Sequence, residues 1–335
     1  MTPVRVGLVG VANHGAAILN AILESGNLIL HSCFDINTAA MEAVAQRHHA
    51  RAATSYDDLV DDAALEAVAL VTPSHLHLDQ VRKAAAAGKQ LFVEKPIADT
   101  VSEGKEIIRL AEEAERVLLI GHHTRRRQVF RRTKQLLEEG VIGKVVAVEG
   151  NLSRPAGLQP GLPAWKADPR TCPLLPMMQL GIHLVDTVEY LLGPVRTAGC
   201  IAANIAMPGS VYDSTAALLQ LESGVPYTLT SYYVSPDAYF LRIYGTGGLL
   251  HCGPMHLRIE ILEAGSIVET RNEDFPKEGA QSYVLQMREF GECVATGSTP
   301  ETDGAGALRA LAVIEAMTRS VETGRTVPIE EILLY

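Results

Sequence analysis

Apolar residues in the first 120 positions fall into short, near-continuous runs at 4–9, 28–34, 67–72, 90–94 and 117–121. Runs of that length without alternation predict strands buried on both faces, as in a parallel sheet. Helical periodicity fills the gaps. Asn37 is placed to cap a helix carrying Met41 and Val44, and Asp99 or Thr100 to cap a later one whose stripe is Ile107, Ile108 and Ala111. Gly88 ends the helix that contains the alanine run 84–87. Alternating strands and helices predict an α/β fold with a doubly wound parallel sheet.

The character changes at 121/122. A helix over about 129–138 leads to candidate strands at 145–149, 195–203, 216–221, 227–233 and 239–244, several alternating apolar with polar as half-buried antiparallel strands do. The Pro/Gly-rich stretch 154–176 reads as a long loop, and a loop that long inside a compact domain is more often functional than accidental. Two helices, 282–295 and 305–323, close the chain.

Composition narrows the function classes. At 335 residues the length predicts two domains or one large α/β domain, and 47% hydrophobic with 20% charged residues excludes wholesale disorder. No apolar run approaches ~18 residues, so no membrane span is expected. The N-terminus enters a strand pattern at once without a signal design, which predicts a cytoplasmic protein. Lys+Arg 29 against Asp+Glu 39 gives a net charge of −10, which argues against nucleic acid or a membrane surface as partner. Five scattered cysteines without a C-x-x-C spacing predict reduced thiols, with neither a disulfide framework nor a metal site.

The first strand runs into Gly7-Leu8-Val9-Gly10-Val11-Ala12-Asn13-His14-Gly15, a G-x-G-x-x-G pattern with Ala12 at its middle glycine. Gly10 permits a tight turn, and Gly15 lets helix and strand pack closely. Backbone N–H groups from Ala12, Asn13 and His14 at the helix start are placed to face a pyrophosphate. Asp35 follows Gly15 by twenty residues, at the end of the second strand. An acid there accepts hydrogen bonds from the adenosine ribose and repels a 2′-phosphate, so NAD(H) is expected as the preferred cofactor and NADP(H) as the alternative. Thr72, Pro73 and His77 follow the third strand, and Glu94-Lys95-Pro96 the fourth. Carboxyl ends of strands are where open α/β sheets bind ligands. A lysine there stabilises negative charge developing on a substrate oxygen, and a cis bond to Pro96 would aim it rigidly. His75 reads as a helix-start residue bonded to backbone.

Gly7 to Gly15, Asp35, Thr72-Pro73-x-x-x-His77, Glu94-Lys95-Pro96 and Gly181-Ile182-His183-Leu184-Val185-Asp186 occur in order along almost the whole chain, with Gly140-Val141-Ile142-Gly143-Lys144 and Gly245-Thr246-Gly247-Gly248. Together they resemble the glucose–fructose oxidoreductase / inositol dehydrogenase / rhizopine-catabolism (Gfo/Idh/MocA) superfamily. The resemblance implies an N-terminal NAD(P)-binding Rossmann domain, 1–121. It also implies a C-terminal α/β substrate-binding and oligomerisation domain with an open, mostly antiparallel sheet, 122–335. Members are mostly NAD(P)-dependent oxidoreductases of sugars, cyclitols and related alcohols, and most are dimers or tetramers paired through that sheet. A small polyol or sugar-like substrate and a homodimer or homotetramer are therefore expected.

The family's catalytic lysine works with a D-x-x-x-H pair, which maps Lys95 to the lysine and His183 to the histidine. Gln179 stands where the aspartate is usual, and Leu175 and Pro176 replace a glycine pair. A carboxylate beside a proton-accepting histidine stabilises its cation; Gln179 orients but supplies no charge. Two readings follow: hydride transfer between nicotinamide and a secondary alcohol or ketone, with His183 as acid/base and Gln179 as a neutral positioner, or a catalytically silent dinucleotide- or sugar-sensing protein. Further candidates for the substrate are His123 at the end of the fifth strand, Arg125 in the Arg125-Arg126-Arg127 cluster, and Trp165-Lys166 in the long loop. An arginine there binds phosphate or carboxylate, or else the cluster is a solvated face paired with acids such as Glu138 and Glu139. Trp165 either stacks on a sugar face or anchors its loop.

Overall fold

The expected early strands pair into one parallel sheet in the computed structural model, which describes residues 2–276 and 278–334. The chain divides into two units. One runs to His123 and includes Gly279–Leu308; the other comprises Thr124–Glu278 and Arg309–Tyr335.

The first unit holds β1 (Val4–Val9), β2 (Leu28–Phe34), β3 (Arg51–Ala52), β4 (Ala67–Leu70), β5 (Gln90–Val93) and β6 (Leu118–Ile120), in the order β3-β2-β1-β4-β5-β6. All pair in parallel. The order reverses beside β1, the switch point at which doubly wound sheets bind ligands. Its helices are α1 (His14–Ser25), α2 (Thr38–His48), α3 (Tyr56–Val60), α4 (His77–Ala86) and α5 (Val101–Glu113). Asn37 caps α2 by accepting the Ala40 amide, and Thr100, not Asp99, caps α5 in a reciprocal box with Glu103. A later segment joins this unit. Met287 and Phe290 of the helix Glu278–Thr296 are fully buried with Val6, Leu8, Ile18 and Ile22, and the Phe290 ring meets Phe92 edge-on at 6.0 Å. Ile120 on the edge strand exchanges backbone and hydroxyl hydrogen bonds with Thr302, which covers that edge.

The second unit holds β7 (Val145–Ser153), β8 (Val195–Ala203), β9 (Ser214–Leu221), β10 (Pro226–Tyr232), β11 (Ala238–Gly245), β12 (Gly248–Cys252), β13 (His256–Glu263), β14 (Ser266–Asp274) and β15 (Val327–Pro328). They form a nine-stranded sheet ordered β14-β13-β12-β11-β7-β10-β9-β8-β15, antiparallel except where β7 meets β10. Strict alternation along β9 buries Ala217, Leu219 and Leu221 and turns Ala216 and Leu218 outward. On that outer face Ala216 pairs with Ile201, and Thr228 with Leu218. Strands β12 to β14 extend the sheet beyond the sequence expectation; β14 is exposed along nearly its whole length and carries no apolar alternation to betray it. The helices include α6 (Gln128–Glu138) and α7 (Ile182–Leu192). A π-helical turn, Met177–Gly181, leads into α7. The long loop contains tight turns at Pro155–Leu158 and Ala164–Lys166. Among the described residues no helix is long and apolar enough to cross a membrane.

One side chain makes the second unit pH-sensitive. Glu189 on α7 accepts the Val195 amide at 3.0 Å, and burial pushes its carboxyl up to about 7, against the pull of that bond and of Arg309 and Arg125. A folded-state value above the ordinary 4.5 means that the unfolded chain ionises first as pH rises. Stability is therefore full below about pH 4.5 and falls as pH climbs to about 7, by roughly 1–3 kcal/mol. Urea unfolding at pH 5 and pH 8 should show wild type losing that much more than Glu189→Gln. Equal losses in the two proteins would contradict the assignment.

Candidate active site

The turn after β1 is closed by its glycines. Gly10 has φ +87°, and a Cβ on it would lie 2.4 Å from the Val71 carbonyl oxygen; one on Gly15 would lie 2.0 Å from the oxygen of Gly10. Asn13, between them, also takes a positive φ of 50°. The Asp35 carboxylate holds this turn from the end of β2. Its Oδ2 accepts the Val11 and Ala12 amides at 2.8 and 3.2 Å, and its Oδ1 accepts the Asn37 amide at 2.8 Å. The Ala12 amide is thus committed to Asp35 and does not face a pyrophosphate as the sequence led us to expect. Asn13 and His14 come at the open start of α1, where the first N–H groups have no carbonyl within the helix, so they remain suited to an anion. A carboxylate offers about four acceptor sites, so Asp35 keeps capacity for ribose hydroxyls. The cradle fits a dinucleotide's phosphates and ribose.

Glu94, at the end of β5, is buried. Burial alone would raise its carboxyl, but His14 and Lys95 outweigh that and hold it below its usual range. Its Oε1 lies 3.1 Å from His14 Nε2, and its Oε2 accepts the Lys95 amide at 3.0 Å. Lys95 is half-buried and its peptide to Pro96 is cis. Tyr283 lies against two histidines, stacked on His123 at 3.8 Å and edge-on to His14 at 5.5 Å, while His123 Nδ1 meets Ser282 Oγ at 2.9 Å. His123 is therefore fastened into the first unit. His77 differs from its expected place: it is fully buried, and its ring nitrogens lie 3.1 and 3.0 Å from the carbonyl oxygens of Ile97 and Thr72. The ring clamps backbone and turns neither nitrogen to a ligand. The Thr72 hydroxyl in turn donates to Gln80 at 2.6 Å, just after Pro73 begins the next turn.

In the second unit His183 sits half-buried on the first turn of α7, its Nδ1 3.1 Å from the hydroxyl of Thr124. Gln179 stands one turn earlier on the π-helical segment, a distortion that recurs at functional sites. Its Nε2 reaches the Sγ of buried Cys172 at 3.8 Å. Trp165 and Lys166 share a turn of the long loop, with the Lys166 ammonium 5.3 Å from the Trp165 ring centre and the Thr171 hydroxyl tied to the Trp165 carbonyl at 2.5 Å. Burial lowers the Lys166 ammonium below its usual range.

The arginine cluster is neither a substrate clamp nor a solvated face. Arg125 grips Asp186 with two hydrogen bonds, 2.5 and 3.0 Å, on a carboxylate that is itself buried. Arg126 is buried, Arg127 lies over the Tyr239 ring at 5.1 Å, and Arg132 pairs with Glu273. Sequence reasoning missed Thr124, Cys172 and the role of Asp186. Only Asp186 left a signal, as an acid within the otherwise apolar start of α7.

A family model described as "Oxidoreductase family, NAD-binding Rossmann fold" (GFO_IDH_MocA) matches residues 4–122, and its "C-terminal alpha/beta domain" companion matches 134–329. A D-xylose 1-dehydrogenase [NADP(+)] of Haloarcula marismortui is 26% identical, over 98% of this chain and 94% of its own. A scyllo-inositol 2-dehydrogenase (NAD(+)) of Bacillus subtilis is 28% identical, over 82% and 80%. The structure of a levoglucosan dehydrogenase in complex with NADH and levoglucosan shares the fold, with a TM-score of 0.89 at 18% identity over 98% of this chain and 100% of that one.

The Arg125–Asp186 pair predicts a stability effect separable from activity. Breaking a buried pair from one side strands the other charge and costs about 3–5 kcal/mol. Arg125→Met should lower unfolding stability by that amount in denaturant titration. A loss under 1 kcal/mol would mean that Arg125 is not structural.

Proposed function

The chain belongs to the Gfo/Idh/MocA oxidoreductase family, and on that premise we propose that it transfers hydride between NAD(H) and a secondary alcohol or ketone of a sugar, cyclitol or related derivative. Relatives named for xylose and inositol dehydrogenation support the substrate class. Because those names include both NADP(+) and NAD(+), the cofactor preference rests on Asp35 alone: a carboxylate at the end of β2 repels a 2′-phosphate. Asn13, His14 and Gly15 hold the phosphates, Asp35 the ribose, and Glu94 with His14 the nicotinamide end. When bound, the cofactor supplies the hydride acceptor or donor.

The observation that carries the chemistry is His183 Nδ1 at 3.1 Å from Thr124 Oγ1. With the proton on Nδ1 donated to Thr124, Nε2 is the basic nitrogen that takes the proton from the substrate hydroxyl. Lys95 lowers the pKa of that hydroxyl and stabilises the alkoxide as it forms. Gln179 positions a substrate hydroxyl and, as a neutral amide, adds no charge beside His183. We also propose a homodimer or homotetramer joined through the outer face of the nine-stranded sheet, where Ile201 is 78% and Leu218 61% exposed.

His183→Ala should lower turnover by roughly 10²–10⁴-fold and Lys95→Ala by at least as much, with NAD(H) affinity retained in both. Gln179→Asp should raise the histidine pKa and move the pH–rate profile to higher pH. Calorimetry should find NAD(H) bound more tightly than NADP(H), with Asp35→Ala narrowing the gap. Turnover by no member of a sugar and cyclitol panel, with ligand affinities indifferent to Lys95 and His183, would replace this reading with that of a sensor, the reading that Gln179 favours.

A further inference from the structure

Two ionisable side chains of the first unit meet near the switch point of its sheet. His14 belongs to the glycine-rich turn at the start of α1, and Glu94 follows β5; Nε2 of the one lies 3.1 Å from Oε1 of the other. Their exposure differs sharply. The imidazole keeps 44% of its surface open, the carboxylate 6%. Room for that carboxylate comes from the neighbouring strand, since a Cβ on Gly121, just past β6, would lie 2.8 Å from the Glu94 carboxyl carbon and from both oxygens. The second oxygen is fixed by the Lys95 amide at 3.0 Å. The ionisable groups that face Glu94 are His14, Lys95 and, from α4, His77. His14 and Lys95 outweigh burial and keep the carboxyl ionised. At His77 burial prevails, which lowers its imidazole below the usual range and keeps that ring neutral. From α8 the Tyr283 ring meets His14 edge-on at 5.5 Å, with His123 stacked on the same ring at 3.8 Å.

Histidine is the side chain that changes charge between pH 5 and pH 8. With Glu94 ionised throughout, the pair is neutral when His14 carries its proton and net negative when it does not. A dinucleotide cofactor differs in the same quantity between its two states: the oxidised nicotinamide ring is a cation and the reduced ring is neutral. Asp35 follows β2, on the adenosine side of the switch point, and a dinucleotide laid across that crevice carries its other end toward β4 and β5, where Glu94 stands. A net negative charge there attracts the cationic ring and leaves the neutral one indifferent, and a carboxylate this buried is little screened by salt.

We propose that the His14–Glu94 pair sets which oxidation state of the cofactor binds more tightly, with the proton on His14 as its control. Neutral His14 favours NAD+ over NADH; protonated His14 cancels the Glu94 charge and reduces that preference. The inference rests on the dinucleotide reading of the cradle and carries it from cofactor identity to cofactor oxidation state. The acid/base chemistry of the substrate stays with Lys95 and His183.

The test uses the full chain without substrate. Calorimetry gives the Kd of NAD+ and of NADH at steps from about pH 5.5 to about pH 8. In the wild type, NAD+ affinity relative to NADH should rise roughly 3–10-fold across that range. His14→Gln keeps a neutral donor and the backbone amide, so its ratio should stay flat at the value the wild type reaches at high pH. His14→Arg, permanently charged, should stay flat at the low-pH value. Glu94→Gln should weaken NAD+ relative to NADH at pH 8 by a similar factor. Circular dichroism establishes that each variant is folded. A wild-type ratio constant across the range, or one that varies equally in His14→Gln, would overturn the proposal, and turnover of a sugar beside such a result would leave the oxidoreductase reading standing. A His14-dependent ratio without turnover of any sugar or cyclitol supports the inference and defeats that reading.

Discussion

The first unit depends on one close approach, that of the start of α1 to the end of β1. The Gly15 Cα sits where any side chain would strike the Gly10 carbonyl, and Gly10 sits where any side chain would strike Val71 on the neighbouring strand's exit. Two absent side chains therefore let helix, β1 and the segment after β4 meet at the point where the strand order reverses. Asp35 then acts as a brace: its carboxylate spans the turn after β1 and the start of α2's cap. On the proposed reading the same carboxylate also reads the ribose, which would link stiffness of the loop and choice of cofactor in a single residue.

The second unit is governed by charge compensation. Arg125 and Asp186 neutralise one another inside the unit, Arg170 and Asp168 on its loop, and Arg132 and Glu273 at the sheet. In the same unit His183 bonds to Thr124 and the Gln179 amide meets the Cys172 sulfur.

Where local chemistry alone decides, the sequence was sufficient. Gly10, Gly15 and Asp35 could be placed because turn geometry admits few residue types there, and the cap of α5 was narrowed to Asp99 or Thr100, between which the reciprocal bond with Glu103 decides. Long-range partners left no such mark. Arg125 looked like a ligand-binding arginine until Asp186, 61 positions on, met it, and His77 like a ligand contact until the Ile97 carbonyl did. Strand β3 is two residues long, and the apolar residues of β14, Ile267 and Val268, are adjacent and not alternating, so neither strand shows a period. The apolar stripe of Glu278–Thr296 announces a buried helix but not that it packs with Phe92.

The central claim is that this chain moves hydride and that His183 handles the accompanying proton. Deuterium tracing tests both parts. A sugar or cyclitol carrying deuterium on the reacting carbon, incubated with the enzyme and NAD+, should place one deuterium in the reduced cofactor by mass spectrometry. Transfer should fall in the His183→Ala protein and recover in part with added imidazole. Reduced cofactor free of label, or label transfer indifferent to His183, would contradict the account.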